Sequence, residues 1–475
     1  MRVGITGAGP AGMTAAYCLA REGESVEVFE AANEVGGLAR SLELWGQIVD
    51  MGPHRFFSAD KRVNELWLEV VGRDYRLVDR LTRIYYRQRF FYYPLRAMNA
   101  LFTLGPREAL SCAASYARER TSPTAQDGTF ESWVVSRFGR KLFEIFFKTY
   151  SEKLWGIPCT ELDATFAAQR IKGLSLWEAA KNALSPQGGS SKHKTLVDQF
   201  AYPLEGTGMV YRRMRERVEE HGGKVHVATP VRRILVEDGR AAGLELASGE
   251  RRRYDHLISS MPLTLLVQGI EGAPEEIRRL AAQLTFRNTI LVYLHLDAED
   301  LFPDQWIYVH APDLLTGRIT NFRNWVPELN RGERTTIVAM EYWCYEQDEI
   351  WRRDDAGLIA LASGELAATG LARGAAVLDG KVLRLPRCYP VYARGYRERL
   401  APIQDYLASI AGLSVIGRYG AFKYNNQDHS ILMGILAAEN IAHGAHHDLW
   451  SVNTDTEAYH EAYVITETGL DRRAG

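Results

Sequence analysis

The chain opens with the stretch that decides its fold: residues 1–6 read MRVGIT, residues 7–12 read GAGPAG, and residues 25–30 read SVEVFE. The first run predicts a short apolar strand, and the apolar spacing of residues 13–23 predicts a helix after the glycines. The third run predicts another strand, which ends in an acid. The order of strand, GxGxxG, helix, strand and acid is the dinucleotide-binding βαβ unit. We therefore predict an α/β fold that begins with a Rossmann-like domain.

Each glycine of this turn has its own physical task. Gly7 allows the tight turn, Gly9 lets a pyrophosphate approach the backbone, and Gly12 lets helix and strand pack closely. The free N–H groups and positive dipole end of the helix favour phosphate groups. Glu30 is placed to accept hydrogen bonds from ribose hydroxyls and would repel a 2′-phosphate, so the pattern disfavours NADP. The cofactor-binding residues predicted in this segment are Gly7, Gly9, Pro10, Ala11, Gly12 and Glu30.

Composition excludes several classes of function. A formal net charge of -2 over 475 residues gives no bias toward nucleic acid. The five cysteines are scattered without a CxxC pair, so we expect no disulfide framework and no metal site. This cysteine usage fits a reducing cytoplasm, and a first strand at the N-terminus leaves no room for a signal peptide. Because no apolar run reaches membrane-spanning length, we expect no membrane span.

The patterning divides the chain into three predicted domains. The dinucleotide-binding domain is discontinuous and takes residues 1–75, 195–262 and 405–475, because strand-like runs return after each interruption. Residues 76–194 are rich in helical and aromatic patterns, which predicts a helical insertion. Residues 263–404 contain alternating segments that predict a second, antiparallel sheet.

A second glycine-rich loop follows the acid and reads GGLARS at residues 36–41. The glycine turn, the acid and this loop together resemble the FAD-binding flavoproteins of the amine-oxidase and protoporphyrinogen-oxidase superfamily. The resemblance implies FAD as the cofactor and adds Gly37 and Leu38 to its binding residues. It also places Arg40 close to the FAD pyrophosphate, which a bidentate guanidinium suits. Val231 matches the position where a backbone pair reads the adenine.

Four further motifs resemble one branch of that superfamily, the UDP-galactopyranose mutases, especially the larger eukaryotic type. The motifs occur in the family's order over most of the chain. The last is the most specific, because five consecutive residues, NQDHS, match downstream of a GRxG. They are DMGPHRFFS at residues 50–58, WGIP at 155–158 with Arg170, WIY at 306–308 with Arg318, and GRYG at 417–420 with YNNQDHS at 424–430.

The resemblance implies an isomerase, a flavin-dependent mutase that interconverts pyranose and furanose forms of an NDP-hexose. In the implied reaction the reduced FAD attacks the anomeric carbon through N5 and displaces the nucleotide diphosphate. The implied substrate is UDP- or GDP-galactose-like, and galactofuranose formation would serve carbohydrate biosynthesis. NAD(P)H as the reductant and a homo-oligomeric state are left open.

The resemblance also assigns roles to individual side chains. Arg170 and Arg318 would hold the diphosphate, whose charge grows as the glycosidic bond breaks. His54 would face the flavin N5 region, and Asn426 would lie close to the sugar and the flavin. The implied substrate-binding residues are Tyr93, Trp306, Tyr308, Tyr389 and Tyr424. The implied cofactor-binding residues of these motifs are His54, Gly417, Asn426, Gln427 and Ser430.

The chain departs from the family pattern at two places. Tyr93-Pro94 keeps the family's aromatic platform, but Arg96 replaces the polar amide that reads uracil, so uracil and guanine both remain open. Residues 186–194, PQGGSSKHK, replace the family's mobile flap. The alternative function is an FAD-dependent oxidoreductase of the amine-oxidase or protoporphyrinogen-oxidase type, which would have no diphosphate to hold. A third reading, a non-enzymatic nucleotide-binding protein, has little support.

Overall fold

The computed structural model describes residues 1–93, 95, 97–165, 199–452 and 463–472. The strands, numbered in chain order, are β1 Arg2–Thr6, β2 Ser25–Phe29, β3 Ser41–Leu44, β4 Gln47–Asp50, β5 Tyr75–Asp79, β6 Thr82–Tyr86, β7 Arg89–Tyr92, β8 Gln199–Pro203, β9 Lys224–His226, β10 Val231–Glu237, β11 Arg240–Leu246, β12 Arg251–Arg253, β13 His256–Ser259, β14 Phe286–Leu296, β15 Trp306–Val309, β16 Arg318–Asn321, β17 Thr336–Cys344, β18 Val377–Pro390, β19 Leu413–Val415, β20 Tyr463–Thr466 and β21 Gly469–Arg472.

The helices of the described residues are numbered in the same way. They are α1 Pro10–Arg21, α2 Lys61–Val71, α3 Ala97–Leu104, α4 Pro106–Thr121, α5 Phe130–Phe138, α6 Arg140–Phe143, α7 Thr149–Trp155, α8 Gly208–Glu220, α9 Leu263–Gly269, α10 Glu275–Ala282, α11 Glu349–Arg352, α12 Asp355–Ala368, α13 Tyr396–Ala408, α14 Gly417–Gly420 and α15 Gln427–Ala442. A π-helical turn, Glu144–Lys148, connects α6 to α7.

The chain forms two compact units. The first unit comprises Met1–Val78, Phe200–Thr285 and Tyr396–Gly475, and the second comprises Asp79–Gln199 and Phe286–Gly395. The predicted fold class is confirmed, because parallel and antiparallel sheets occur together with helices. The division into three functional domains stays a prediction.

A five-stranded parallel sheet of order β19-β13-β1-β2-β9 forms the centre of the first unit. β1 lies in the middle because Val3 and Ile5 are both fully buried, as expected for a strand covered on both faces. The helix α1 crosses from β1 to its parallel neighbour β2, and its residues from Ala11 to Ala20 are all buried. The predicted strand–turn–helix–strand unit is therefore present at the predicted residues.

A seven-stranded sheet of order β18-β14-β17-β16-β15-β6-β7 forms the centre of the second unit. Its long strands β14 and β17 are antiparallel, whereas β15 and β6 are parallel, with Trp306 opposite Thr82. The strands β6 and β7 lie within residues 76–194, for which the sequence predicted helices. The prediction missed them because both strands are short and aromatic, and period alone cannot separate such runs from helix.

The packing of α15 against α1 depends on a glycine. A Cβ atom at Gly434 would lie 2.6 Å from the carbonyl oxygen of Ala11 and 3.0 Å from the amide nitrogen of Ala15. Because both neighbours are backbone atoms, they cannot rotate away. Gly434 thus allows the C-terminal helix to lie directly against the helix that follows the glycine turn.

We expect Gly434→Ala to lower the apparent melting temperature, because overpacking of this kind costs about 1–3 kcal/mol. The matched control is Gly364→Ala in α12, where a Cβ atom would meet no heavy atom within 4 Å. That control should keep or raise the melting temperature, since alanine is the better helix former. Equal gains for both variants in thermal unfolding would contradict this packing argument.

Candidate functional site

The turn between β1 and α1 presents bare backbone. Gly7 has a φ of 91°, and its N–H donates to the carbonyl oxygen of Phe29 at 2.8 Å. A Cβ atom at Gly12 would lie 1.9 Å from the Gly7 carbonyl oxygen, and one at Gly37 would lie 3.1 Å from the Cα of Gly9. These contacts require glycine, and they leave the start of α1, with Pro10 as its first residue, open to a phosphate group.

Glu30 follows β2 and faces this turn. Its two carboxylate oxygens accept hydrogen bonds from the backbone amides of Ala8 at 2.7 Å and Ala32 at 2.9 Å. These two hydrogen bonds from backbone amides fix the carboxylate beside the turn. Because a carboxylate has about four acceptor positions, two stay available for the hydroxyl groups of a ribose.

The second glycine-rich loop is attached to the same turn. The amide of Gly36, which has a φ of 106°, donates to the carbonyl oxygen of Ala8 at 2.7 Å. The loop continues as a 3₁₀ turn, Gly37–Ala39, which contains Leu38. The Nε of Arg40 donates to the carbonyl oxygen of Gly37 at 3.0 Å, so this guanidinium is held close to the glycine turn.

A buried carboxylate anchors the segment that carries His54. Asp50 accepts hydrogen bonds from the hydroxyls of Ser41 at 2.6 Å, Tyr202 at 2.7 Å and Thr207 at 2.5 Å. Burial raises the pKa of Asp50 from its ordinary value, and the hydroxyl donors oppose that shift. The Thr207 hydroxyl also lies 3.1 Å from the carbonyl oxygen of His54. The network therefore fixes the backbone at His54.

The C-terminal return contributes to the same unit. Gly417 begins α14 with a φ of 83°, and a Cβ atom there would lie 3.1 Å from the Cβ of Ala11. The side-chain amide of Gln427 donates to the carbonyl oxygen of His54 at 3.4 Å and accepts from the Tyr211 hydroxyl at 2.8 Å. Gln427 and Gly417 therefore lie beside the predicted cofactor residues of the first unit.

The remaining predicted site residues of the first unit lie at the start of α15, just before it, and at the start of β10. Asn426 is exposed at the start of α15, and its carbonyl oxygen accepts from the amide of the buried Ser430 at 3.2 Å. The guanidinium of Arg418 lies 4.4 Å from the ring centroid of Tyr424, which orients that tyrosine. Val231 begins β10.

The residues of the first unit fit FAD. The glycine turn is a cradle that side chains would fill, the start of α1 offers N–H groups, and Glu30 offers acceptors for a ribose. The ligand-binding roles of the individual residues stay predictions.

In the second unit, Arg318 forms an ion pair with a buried carboxylate, and its own side chain is 15% exposed. Its Nε and Nη2 donate to the two carboxylate oxygens of Glu341, each at 2.6 Å. Arg318 on β16 lies directly opposite Glu341 on the antiparallel strand β17. Burial opposes the charge of Arg318, but Glu341 outweighs it, so the pKa of the guanidinium lies well above its ordinary value. The Nη2 atom lies 3.5 Å from the hydroxyl of Tyr389.

Aromatic rings surround this cation. The ring centroid of Tyr308 lies 5.0 Å from that of Tyr93 and 5.4 Å from that of Tyr150. Tyr150 in turn lies 5.5 Å from Trp343, and the guanidinium carbon of Arg318 lies 6.0 Å from the Trp343 ring. We name these five residues the arginine–aromatic cluster.

Trp306 differs from the other predicted aromatic residues. It is 4% exposed and stacks on Trp325 with centroids 5.7 Å apart. It therefore packs in the core of the second unit, and its role toward a ligand stays a prediction.

Sequence reasoning missed several residues of both units. Glu341, Trp343 and Tyr150 surround Arg318, but only strand register and helix packing bring them there. Tyr202 and Thr207, the donors to Asp50, carried no signal at all. Arg170, the second predicted diphosphate ligand, lies outside the described residues, as does Arg96.

Comparison with known proteins adds a family and a fold. The family described as flavin containing amine oxidoreductase matches residues 10–368. Coproporphyrinogen III oxidase of Mycobacterium bovis is 24% identical over 443 residues, covering 87% of this chain and 92% of that protein. The Klebsiella pneumoniae protein named "Probable UDP-galactopyranose mutase" is 28% identical over 170 residues, covering 34% of this chain and 42% of that protein. The crystal structure of reduced UDP-galactopyranose mutase has a TM-score of 0.84 at 22% identity, covering 96% of each chain.

The fold and the glycine turn thus define a dinucleotide-binding flavoprotein. The chain belongs to the family of flavin containing amine oxidoreductases. The resemblance stated from the sequence motifs is confirmed, since a UDP-galactopyranose mutase shares the fold over nearly the whole chain. In the parts of the chain that the structure describes, no helix is long and apolar enough to cross a membrane, and no cluster of three or more His, Cys, Asp or Glu could hold a metal ion.

We expect Glu30→Ala to reduce the flavin content of the purified protein. Hydrogen bonds to a charged group contribute about 1.5–3 kcal/mol, so their loss should weaken flavin binding roughly 10- to 100-fold. The ratio of flavin to protein absorbance measures this. Glu22→Ala, at an exposed residue just past α1, is the control and should keep full flavin content. Full occupancy in Glu30→Ala would contradict the ribose role.

Proposed function

We propose that the chain is a flavin-dependent mutase that interconverts pyranose and furanose forms of an NDP-hexose. The observation that carries this proposal is the largely enclosed Arg318, which pairs with Glu341 and lies within the arginine–aromatic cluster. A fixed cation among aromatic rings suits a nucleotide diphosphate, because the guanidinium binds the phosphates and the rings pack against the base and sugar. The fold similarity to a UDP-galactopyranose mutase supports the same reading.

The reduced flavin, when bound, supplies the nucleophile for the anomeric carbon. The work of the second unit is to bind the diphosphate and to stabilise its growing charge as it leaves. Arg318 does this with a rigid guanidinium, because Glu341 fixes two of its donor atoms. Its Nη1 atom has no hydrogen bond to another described residue and can donate to a phosphate oxygen. Arg170, by its sequence motif, is the proposed second cation.

The first unit holds the flavin in this proposal. Asp50 and Gln427 fix the backbone around His54, so that the histidine keeps a defined position. His54 would favour the reduced ring, and Asn426 would contact the sugar. Tyr424 and Tyr389 would donate hydrogen bonds to the diphosphate.

In this proposal Tyr93 binds the nucleobase. Tyr93 is 43% exposed, and its ring contacts that of Tyr308. Such a platform stacks uracil or guanine equally well. NAD(P)H as the reductant, galactose as the hexose and a cytoplasmic location complete the proposal.

A second candidate is an oxidase of tetrapyrrole or amine substrates. The likeness over most of the chain to coproporphyrinogen III oxidase favours it. Arg318 does not by itself exclude it, because a guanidinium also binds carboxylates such as those of a coproporphyrinogen. The aromatic rings beside Arg318 and the fold similarity favour the mutase.

We expect Arg318→Ala to lower mutase turnover by about 10²–10³, the usual loss for one transition-state donor, while flavin content stays unchanged. Arg318→Lys keeps a charge beside Glu341 but loses the fork, so it should fold well and still be impaired. The control is Arg323→Ala, since Arg323 pairs with Glu299 instead. Dithionite-reduced enzyme is assayed with UDP- and GDP-hexofuranoses. Full activity in both Arg318 variants would remove the diphosphate role.

The same protein distinguishes the two candidate functions. A mutase should turn over only after reduction of its flavin, with no net consumption of oxygen. An oxidase should consume oxygen with coproporphyrinogen or an amine and no added reductant. Oxygen uptake without isomerisation of any NDP-hexose would favour the oxidase and end the mutase proposal.

A further inference from the structure

A half-buried lysine donates hydrogen bonds to three backbone carbonyls close in sequence to Tyr308 and Arg318 of the arginine–aromatic cluster. Lys153 lies on α7, and its Nζ donates to the carbonyl oxygens of Ala311 at 2.6 Å, Val309 at 3.3 Å and Thr316 at 3.3 Å. An ammonium group has three donors, and all three are used here. Burial lowers the pKa of Lys153 to about 8, so the charged form predominates at neutral pH.

Two of the three carbonyls, those of Ala311 and Thr316, belong to one connection, and the third belongs to Val309, the residue just before it. Residues 310–317 join β15 to β16, two antiparallel strands in which Tyr308 lies opposite Arg318. Val309 directly follows Tyr308, and Thr316 comes two residues before Arg318. Lys153 therefore holds the connection at both ends, next to the two residues that the proposed function assigns to the ligand.

A carboxylate holds the same connection from another side. Glu365 on α12 accepts hydrogen bonds from the amides of Leu315 at 2.5 Å and Thr316 at 2.9 Å, and from the Tyr342 hydroxyl at 3.1 Å. The connection is thus fixed through its carbonyls by a cation and through its amides by an anion. Such specific bonds are what an irregular segment with buried backbone groups needs in order to keep one conformation.

The connection is also packed tightly against the cluster. A Cβ atom at Gly317 would lie 1.9 Å from the Trp343 ring. Tyr150, one turn before Lys153 on α7, contacts Tyr308 and stacks on His310 with centroids 4.9 Å apart. Movement of the connection would therefore displace members of the arginine–aromatic cluster.

We propose that Lys153 is a positioning residue: its ammonium group ties α7 to the 310–317 connection and thereby fixes Tyr308 and Arg318 for ligand binding. The consequence for a nucleotide diphosphate rests on the proposed function, whereas the consequence for the connection does not. The two consequences can be measured separately.

The first measurement is amide hydrogen exchange of the ligand-free holoenzyme over residues 310–317. Lys153→Met removes the donors and keeps the length of the side chain. We expect exchange in this segment to accelerate roughly 10-fold or more, since hydrogen bonds to a charged group are lost. Lys153→Gln keeps two donors and should lie in between. The control is Lys141→Met, because Lys141 in the same unit faces Glu108; it should leave the segment unchanged.

The second measurement is a double-mutant cycle on the dissociation constants of UDP and of GDP. Tryptophan fluorescence monitors the binding. Lys153→Met should raise the constant roughly 10-fold in the wild-type background. In an Arg318→Lys background its effect should fall below about 2-fold, because the two residues act through one contact. Flavin content should not change in any of these variants.

Equal effects of Lys153→Met in both backgrounds, or unchanged exchange over residues 310–317, would overturn the positioning role. If Arg318→Lys leaves nucleotide affinity unchanged while Lys153→Met accelerates exchange, the diphosphate role of Arg318 fails, and the hold of Lys153 on the connection is supported.

Discussion

The second unit depends on the ion pair between Arg318 and Glu341. The side chain of Arg318 is only 15% exposed, and an unpaired guanidinium there would be destabilising. Glu341, directly across the strand pair, meets this need with two short hydrogen bonds. The two hydrogen bonds hold the guanidinium in one position through Nε and Nη2, and they leave its Nη1 atom available as a donor. A pair of this kind contributes little net stability compared with apolar side chains of similar volume, so stability alone does not explain it.

The first unit depends on glycines, which have no side chain, in the turn between β1 and α1. At the glycine turn, close contacts between backbone segments leave no volume for a Cβ atom. Bare N–H groups can then meet a phosphate without competition from nearby side chains. The carboxylate of Glu30, which follows β2, accepts hydrogen bonds from two backbone amides and so has a defined position beside the glycine turn.

The parts predictable from sequence are those whose chemistry is local. The glycine turn, α1 and the acid after β2 all follow from residues within one stretch of thirty, and the structure has them at the expected positions. Glu341 and Lys153 were not predictable, because their partners are more than twenty residues away and come together only through strand register or helix packing. β6 was missed for a related reason, since it pairs with the distant β15, and β7 in turn pairs with β6.

The choice between mutase and oxidase reduces to a question of charge. Both reactions use the same fold and the same cofactor, and the fold therefore cannot separate them. An oxidase accepts a hydride from its substrate and has no anionic leaving group to stabilise, so a cation beside its substrate would bind a carboxylate of a tetrapyrrole but would meet no growing negative charge. A mutase must hold a diphosphate while its charge rises and then return it to the same sugar. Such a task would need a cation that does not move between the two steps, and two hydrogen bonds to Glu341 hold the Arg318 guanidinium in one position.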